Sequence, residues 1–426
     1  SKTVPKNHQD LFNFLNSTIE PWDGPAAICA TDAKWVLASS DRNGLRPLRY
    51  TITSDNLFFA GSESGMIKIP EENIIEKGKL GPGQIIAIDL KKGKLFKDEE
   101  IKDFLAKDYK KYSKQIIDLE KKISHENEKP NFIKEELRKR QYLSGLSVED
   151  LELILHPMAE EGKEASGSMG DDTPVAVLSS HFRPVSHYFR QNFSQVTNPP
   201  IDSLRENKVM SLKTRFGNLG NILDFDNLTE ENIYVLDSPI LTNSQFKKFK
   251  KFFSKKTKTI DCTFNISSSL KERIEEIREE AETSVRQGST CIVLSDKNIT
   301  DQNASIPSIL TVGAVHSHLV KHGLRGYCSL NVECSDALDT HSFAVLIGVG
   351  ATTVNPYLAI DSIYQRFEKK LFGKSDFESC VLKFKKSIDA GLLKIMSKMG
   401  ISVISSYRGG CNFEAVGLSR AIVSDY

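Results

Sequence analysis

Residues 271–294, KERIEEIREEAETSVRQGSTCIVL, decide the fold class. Their first part, residues 271–287, predicts a charged helix that ends at Gly288. The apolar run 291–294 follows at once and, because it shows no polar alternation, is typical of a strand buried on both faces. A helix that leads directly into such a strand indicates one unit of an α/β fold.

The same alternation continues on both sides of this stretch. Towards the C-terminus we predict, in order, a helix over 309–322, a strand over 327–332, an apolar element over 342–349, a helix over 377–399 and a strand over 401–405. Towards the N-terminus, Ser147 is expected to cap a helix that ends near Leu155, before Pro157. Together these elements predict βα units around a buried, largely parallel sheet.

The first 96 residues follow a different pattern. Short β-rich runs between residues 22 and 95 are separated by turn sequences at 41–44, 81–83 and 91–93, in which Gly and Pro provide the turn geometry. This pattern predicts antiparallel sheet.

A highly charged stretch lies between these two parts. Residues 91–140 contain 16 basic and 11 acidic residues, about twice the average charge density of the chain. Apolar residues recur in it at mostly three- or four-residue spacing: Ile101, Leu105, Tyr109, Tyr112, Ile116 and Ile123. We predict a solvated amphipathic linker helix. A nucleic-acid-binding arm is disfavoured because acidic residues alternate with the lysines and no aromatic stacking surface accompanies them.

The overall composition excludes several classes of protein. The 57 basic and 56 acidic residues give a formal net charge of +1, which argues against a nucleic acid or an anionic membrane as a partner of the whole chain. No apolar run approaches the roughly 18 residues that a membrane span requires, so we expect a cytoplasmic protein. Seven cysteines without a CxxC pair argue against a disulfide framework and a zinc ribbon.

Three histidines were considered as metal ligands. His318 and His322 share a helix face at i, i+4, whereas His316 points elsewhere. No Glu lies between them as in H-E-x-x-H, and the nearest further candidate, His341, lies on another element. We therefore predict no metal site and regard these residues as surface or hydrogen-bonded histidines.

The segment DRNGLRPLRY, residues 41–50, is the densest local motif. Asn43-Gly44 is typical of a β-turn with positive φ. Arg42, Arg46 and Arg49 are suited to binding a carboxylate or phosphate, but pairing with Asp41 and neighbouring carboxylates is the favoured interpretation.

Longer strings resemble known families. EPWDGPAA (20–27), DRNGLRPLRY, AGSESG (60–65) and GPGQ (81–84) resemble, in order and spacing, the distal part of a class II glutamine amidotransferase domain. Four further strings resemble the central domain of the glutamate synthase family: GSMGDDTP (167–174), QVTNPPID (195–202), KIMSKMGI (394–401) and SYRGGCNFEAVGL (406–418). The resemblance covers essentially the whole chain.

This resemblance implies an organisation in three parts. Residues 1–96 would be the C-terminal part of an Ntn-type glutaminase domain with an antiparallel-sheet remnant, residues 97–140 a charged helical linker, and residues 141–426 the α/β central domain. The nucleophilic cysteine and the oxyanion hole of that family precede the string 20–27, so no catalytic residue is assigned. Ser1 lacks the sequence context of the family's nucleophile.

The resemblance also implies an activity for the complete enzyme. Glutamate synthases convert glutamine and 2-oxoglutarate, with two reducing equivalents, into two glutamates, and they pass ammonia internally. FMN and an iron–sulfur cluster lie in a barrel after the central domain, so no cofactor-binding residue is assigned here. Cys328 and Cys334 have a C-x5-C spacing, but Asp339 occupies the place of a third cluster thiol. We expect them to be buried strand thiols.

The resemblance implies that the chain is an internal fragment of a longer glutamate synthase polypeptide and is inactive by itself. Its partners would be the missing glutaminase half and the FMN-binding barrel of the same polypeptide, together with an electron-donor chain or ferredoxin, in the cytoplasm or the plastid stroma. Thr197 and Asn198 precede two prolines that force an extended backbone, and they are our candidates for the wall of an ammonia channel. A rigid turn is the alternative for that loop. A free-standing, non-catalytic scaffold and another class II amidotransferase are the alternatives for the chain.

Overall fold

The computed structural model describes residues 4–18, 24–107, 116–164, 176, 178–180, 182–192, 201, 204, 206, 209–216 and 232–426. They form two compact units, Ser1–Gln115 and Ile116–Tyr426. Helices and strands are mixed in both units. At the level of mixed helices and strands, the structure agrees with the predicted α/β class and its α+β first part. Among the described residues, no helix is both long and apolar enough to cross a membrane.

The first unit contains two antiparallel sheets. Its elements are α1 (Lys6–Thr18), β1 (Ala27–Thr31), β2 (Trp35–Ser40), β3 (Arg49–Thr53), β4 (Phe58–Gly61), β5 (Ile74–Lys79), β6 (Ile85–Asp89), β7 (Lys94–Phe96) and α2 (Asp98–Ala106). One sheet has the order β1-β2-β6-β7 and the other β4-β3-β5, with every pair antiparallel. Apolar side chains such as Ala38, Leu48 and Ile86 form a small core.

The second unit begins with short elements. These are β8 (Ile116–Asp118), α3 (Lys134–Leu143), a π-helical segment (Asp150–Leu155), α4 (His156–Glu161), β9 (Phe189–Gln191), β10 (Thr214–Phe216), β11 (Ile233–Leu236) and α5 (Asn243–Phe252). β11 pairs antiparallel with β10 and parallel with β8.

A four-stranded parallel sheet forms the centre of the second unit. The remaining elements are β12 (Thr257–Asp261), β13 (Thr263–Asn265), α6 (Leu270–Arg286), β14 (Cys291–Ser295), β15 (Asn303–Ser305), α7 (Ser308–Lys321), β16 (Ser329–Glu333), α8 (Thr340–Gly348), β17 (Thr353–Asn355), α9 (Tyr357–Glu368), α10 (Phe377–Met399), α11 (Ile404–Tyr407), β18 (Phe413–Ala415) and α12 (Arg420–Asp425). The parallel order is β12-β14-β16-β17, and α6, α7 and α8 connect successive strands.

The sequence explains why this sheet lies in the core. Every residue of β14 and β16 is buried, because helices cover the sheet. β14 is apolar up to Ser295, whereas β16 carries Ser329, Asn331 and Glu333 on one face, where hydrogen bonds and ion pairs satisfy them. On α6 the buried residues Ile274, Ile277 and Ala281 recur at three- and four-residue spacing and form the apolar face of an otherwise charged helix. The apolar element predicted at 342–349 is helix α8, whose N-cap Asp339 accepts a hydrogen bond from the Ser342 N–H at 2.9 Å.

Two predicted element boundaries are wrong. The helix capped by Ser147 does not end at Leu155; it continues through the π-helical segment and α4 to Gly162, which has a left-handed φ of 73°. Pro157 lies where the π-helical segment passes into α4, and its missing N–H removes one hydrogen bond at this irregular turn without ending the helix. Residues 401–405 are not a strand. Val403 makes one isolated β-bridge with Ser211, and the residues after Ser211 form β10 instead of continuing this pairing.

The stretch predicted as one linker helix is broken into separate elements. Ile116 lies in β8, which pairs with β11, and Ile123 is fully buried rather than placed on a solvated helix. The backbone N–H groups of Asn131 and Phe132 donate to the Asp361 carboxylate at 2.8 and 2.9 Å. Tertiary partners far along the chain therefore override the helical spacing of this stretch, and the structure places residues 116–140 in the second unit.

Candidate functional site

The turn at the start of the DRNGLRPLRY motif is organised by the Asp41 carboxylate. It accepts the backbone N–H groups of Asn43, Leu45 and Arg46 at 3.0, 3.1 and 3.0 Å, and that of Ala26 at 3.4 Å. These bonds, led by that of Arg46, lower the pKa of Asp41 to about 2. Arg46 thus contributes its main chain to this carboxylate, and Asp41 has a structural role.

Gly44 and Arg49 complete the description of this motif. Gly44 has a φ of +63°, and a Cβ there would lie 2.9 Å from the Pro82 Cγ, so the predicted positive-φ turn is confirmed and only glycine fits. Arg49 lines a cleft of about 580 Å³ with Lys77 and Lys79. This cleft is basic enough to attract an anion, but it is shallow and shows no buried polar anchor among its described residues.

A second cleft lies at the carboxyl edge of the parallel sheet. In open α/β sheets this edge is the usual place for a ligand. The cleft has a volume of about 590 Å³, and Ser335, Asp336 and Asp339, which follow β16, line it together with Arg183 and His187. Its place at this edge makes it a candidate binding site of the second unit.

Two buried carboxyl groups lie at this edge. The Asp296 Oδ2 accepts hydrogen bonds from the Ser335 backbone N–H and Oγ at 2.9 and 2.6 Å, and the Asp336 Oδ2 accepts one from the Ser308 N–H at 2.9 Å. Burial, with the nearby Asp336 charge, raises the pKa of Asp296 to about 7. Burial likewise raises the pKa of Asp336. Asp296 can therefore hold or release a proton near neutral pH.

Tyr357 lies against this pair of carboxyl groups. Its hydroxyl is near enough to Asp296 to donate a hydrogen bond to the carboxylate, which partly offsets the effect of burial on the pKa of Asp296.

An ion cluster stabilises the end of β16 beside these carboxyls. The Glu333 Oε1 lies 2.7 Å from the Lys297 Nζ and 3.1 Å from the Lys250 Nζ, and the Ser295 Oγ donates to the Glu333 Oε2 at 2.8 Å. Burial alone would raise the pKa of Glu333, but the two lysines hold it below its usual value. Glu333 is therefore a paired, structural carboxylate.

Local sequence patterns do not single out these three acids. Asp296 and Asp336 come just after buried strands, where an acid is typical of an ordinary turn, and Glu333 ends the buried strand β16. The signal that could have found them is their shared position after neighbouring parallel strands, because the carboxyl ends of such strands meet at one edge.

His316 is a hydrogen-bonded histidine, which is one of the two roles predicted for it from the sequence. Its Nδ1 accepts a hydrogen bond from the Arg325 Nε at 3.1 Å, while Arg325 also donates to the carbonyl oxygens of Cys328 and Gly350 at 2.7 and 2.8 Å. Burial, together with the charges of Arg325 and Arg408, lowers the pKa of His316 to about 4. The imidazole is therefore neutral at physiological pH.

The candidate cluster cysteines do not lie together. Cys328 directly precedes β16 and Cys334 directly follows it, so they are about 20 Å apart along an extended strand. Both are buried, as predicted, and burial raises the pKa of each thiol. Two thiols at opposite ends of a strand cannot ligate one iron–sulfur cluster.

The candidate channel residues cannot be placed. Thr197 and Asn198 lie outside the described residues. Their assignment remains a prediction from the sequence.

Comparisons with known proteins match both units. Class II glutamine amidotransferases match residues 1–114, and the glutamate synthase central domain matches residues 139–419. The NADPH glutamate synthase large chain of Azospirillum brasilense is 55% identical over 434 residues, which cover 100% of this chain and 29% of the relative.

Two further relatives show the same pattern. The NADPH glutamate synthase large chain of Bacillus subtilis is 41% identical over 433 residues, covering 99% of this chain and 28% of the relative. The ferredoxin-dependent glutamate synthase 2 of Synechocystis sp. is 38% identical over 432 residues, which cover 97% of this chain and 28% of the relative. The chain spans less than a third of the length of these curated relatives.

Proposed function

Because the chain belongs to the glutamate synthase central domain family through residues 139–419, we propose that it supplies the end of the glutaminase domain and the central domain of a glutamate synthase. The complete enzyme would convert glutamine and 2-oxoglutarate, with two reducing equivalents, into two glutamates. Its electrons would come from a pyridine-nucleotide-linked chain or from ferredoxin, since relatives of both kinds match this chain.

The observation that carries this proposal is the order of the two matches. An amidotransferase match over residues 1–114 precedes a central-domain match over 139–419, and relatives align with nearly the whole chain across both. Another class II amidotransferase would not account for the second match. The central-domain match therefore counts against that alternative.

The first unit offers a surface on which the rest of a glutaminase domain could pack. Among residues 4–18 and 24–107, no strand pairs with the outer edge of β1, and four of its five residues are exposed. An edge strand presents unpaired N–H and C=O groups that can pair with another strand. This supports an Ntn-type sheet completed by another segment of the polypeptide and disfavours the free-standing scaffold, which would be expected to protect such an edge.

We place FMN and the iron–sulfur cluster of the complete enzyme outside this chain. The separation of Cys328 and Cys334 along β16 supports this assignment for the cluster. The part supplied here would link the glutaminase and flavin sites.

A glutaminase assay tests the proposal directly. We assign no residue of this sequence as the family's nucleophilic cysteine, so we expect the 426-residue chain alone to hydrolyse no glutamine. The complete polypeptide should hydrolyse glutamine and form glutamate under the same conditions. Turnover by the 426-residue chain alone, or a complete polypeptide that forms no glutamate from glutamine and 2-oxoglutarate, would contradict the proposal.

The ammonia-channel role of Thr197 and Asn198 is tested in the complete enzyme. Replacing Asn198 by Ala should leave glutamine hydrolysis in place but lower the glutamate formed per glutamine consumed, because ammonia would escape. Gln287→Ala, a change of an exposed amide side chain, is the control and should keep the two reactions coupled. If Asn198→Ala forms as much glutamate per glutamine consumed as the parent enzyme, the channel role is wrong and the rigid-turn alternative is favoured.

A further inference from the structure

Three potential metal ligands converge on the outer surface of helices α6 and α7. Glu282 comes from α6, whereas His318 lies on α7 and His322 directly follows it. Spacing along the sequence pairs the two histidines on one helix face, but it does not place Glu282 beside them. The third ligand comes instead from the neighbouring helix.

The three side chains already lie within the reach of one ion. The His318 Nε2 is 2.6 Å from the Glu282 Oε2, the His322 Nδ1 is 3.8 Å from the same oxygen, and the two imidazole centroids are 4.3 Å apart. One ligand atom from each residue lies within 4.8 Å of the others. Ligands of a tetrahedral zinc ion are about 3.4 Å apart, so small side-chain rotations complete the site.

The surroundings fix one of these ligands in orientation. Arg286 donates to the Glu282 Oε1 at 2.8 Å, which leaves Oε2 directed towards the histidines. Such an outer hydrogen bond is typical of a metal-binding carboxylate. The His322 Nδ1 lies 2.8 Å from the His318 carbonyl oxygen, and it would exchange this hydrogen bond for the ion.

The helices that present the ligands are held by packing. Ala281 and Val285 of α6, and Val315 and Leu319 of α7, are all buried. A rigid pair of backbones keeps the ligands close before an ion arrives, which reduces the ordering cost of binding.

The site is also open to solvent. The side chains of His318, Glu282 and His322 are 19%, 21% and 41% exposed, so an ion can enter and water can complete its coordination. Two imidazoles with one carboxylate favour zinc-type transition-metal ions over magnesium or calcium, which prefer oxygen ligands.

We propose that Glu282, His318 and His322 form a binding site for one divalent transition-metal ion of the zinc class, which cross-links α6 and α7. The site shares no residue with the carboxyl-edge cleft. It stands independently of the proposed glutamate synthase role.

Isothermal titration with Zn²⁺ alone tests this proposal on the 426-residue chain. The background carries Cys29→Ser and Cys411→Ser, because these two cysteines are exposed and would also bind zinc. We expect one ion per chain. His322→Ala should weaken binding at least tenfold, and Glu282→Gln and His318→Ala should do the same.

The control is His125→Gln. The His125 side chain is 41% exposed, like His322, and its Nε2 lies 3.8 Å from one carboxylate, that of Glu378, so it tests the loss of an ordinary surface histidine. It should bind Zn²⁺ as the parent does. Since Glu282→Gln removes a contact between helices, circular dichroism without metal checks that each variant is folded. Absence of stoichiometric binding in the parent, or full affinity in folded His322→Ala, would overturn the proposal.

Discussion

Replacing Asp296 by Asn tests whether the carboxyl edge of the parallel sheet holds a carboxyl group that resists ionisation. Asp296 is 2% exposed, so its carboxyl group is shielded from solvent. Asparagine keeps the shape and an oxygen for the two Ser335 donors. Its amide group would face Tyr357, whose hydroxyl lies beside Asp296 and can accept a hydrogen bond.

The magnitude follows from proton linkage. The pKa of Asp296 rises from 3.8 in the unfolded chain to about 7 in the fold, so folding takes up a proton between these pH values. The associated stability is fully present below pH 3.8 and is lost as the pH rises through 7. At about 1.4 kcal/mol per pH unit, roughly 3 units correspond to a loss of about 4 kcal/mol. Asp296→Asn should therefore be up to about 4 kcal/mol more stable than the parent at pH 8, and less than about 1 kcal/mol more stable at pH 4.

Asp361 provides a matched control. Burial raises its pKa to about 7 as well, but its carboxylate accepts the N–H groups of Asn131 and Phe132 and the Asn243 Nδ2 at 2.8, 2.9 and 2.9 Å. In Asp361→Asn, the new amide would face one of these donors. This variant should lose about 1–3 kcal/mol of stability at pH 4, because a buried donor is left unsatisfied.

Urea unfolding followed by circular dichroism at pH 4, 6 and 8 is the appropriate assay. Both tryptophans, Trp22 and Trp35, lie in the first unit, so tryptophan fluorescence would not report on Asp296. The reasoning is refuted if Asp296→Asn has the same pH dependence as the parent, or if both asparagine variants are destabilised equally at every pH.

Two further pairs of substitutions test packing in the second unit. Leu155→Ala should lower the free energy of unfolding in urea by about 2–5 kcal/mol, because Leu155 is fully buried. Leu153 is 66% exposed, so Leu153→Ala should change that free energy by less than about 0.5 kcal/mol. Equal effects would contradict the π-helical register. Gly350→Ala should cost at least about 1 kcal/mol more than Gly373→Ala, since both glycines have positive φ but only the first places a Cβ 2.3 Å from the His316 Nδ1. Similar urea midpoints for the two glycine variants would remove the steric argument.

Elements with strong local signals could be predicted from the sequence. The helix expected over 377–399 is observed as Phe377–Met399, because Asp376 caps its start and Gly400 ends it in a left-handed conformation. The helix over 309–322 is displaced by one residue, at Ser308–Lys321. In both cases the apolar spacing and the end residues agree with the tertiary environment.

Other features depended on contacts between distant parts of the chain. Strand β8 forms where the spacing favoured a helix, because β11 provides a pairing partner. Asp296 and Asp336 belong to different loops and meet only when β14 and β16 pair. Glu282 joins the two histidines only when α6 packs on α7. The spacing of apolar residues within one segment does not predict such contacts between distant segments.

The anchoring of residues 131 and 132 on Asp361 also sets an order of events during synthesis. These groups are 230 residues apart in the chain. At roughly 5–20 residues per second, a ribosome needs about 10–50 s to make the acceptor after the donors have emerged. During that interval residues 131 and 132 lack their native acceptor, Asp361. The many lysines and glutamates of the charged stretch keep it hydrated and resistant to aggregation until Asp361 has been made. The high charge that suggested a permanent spacer is thus better understood as protection for a segment that docks late.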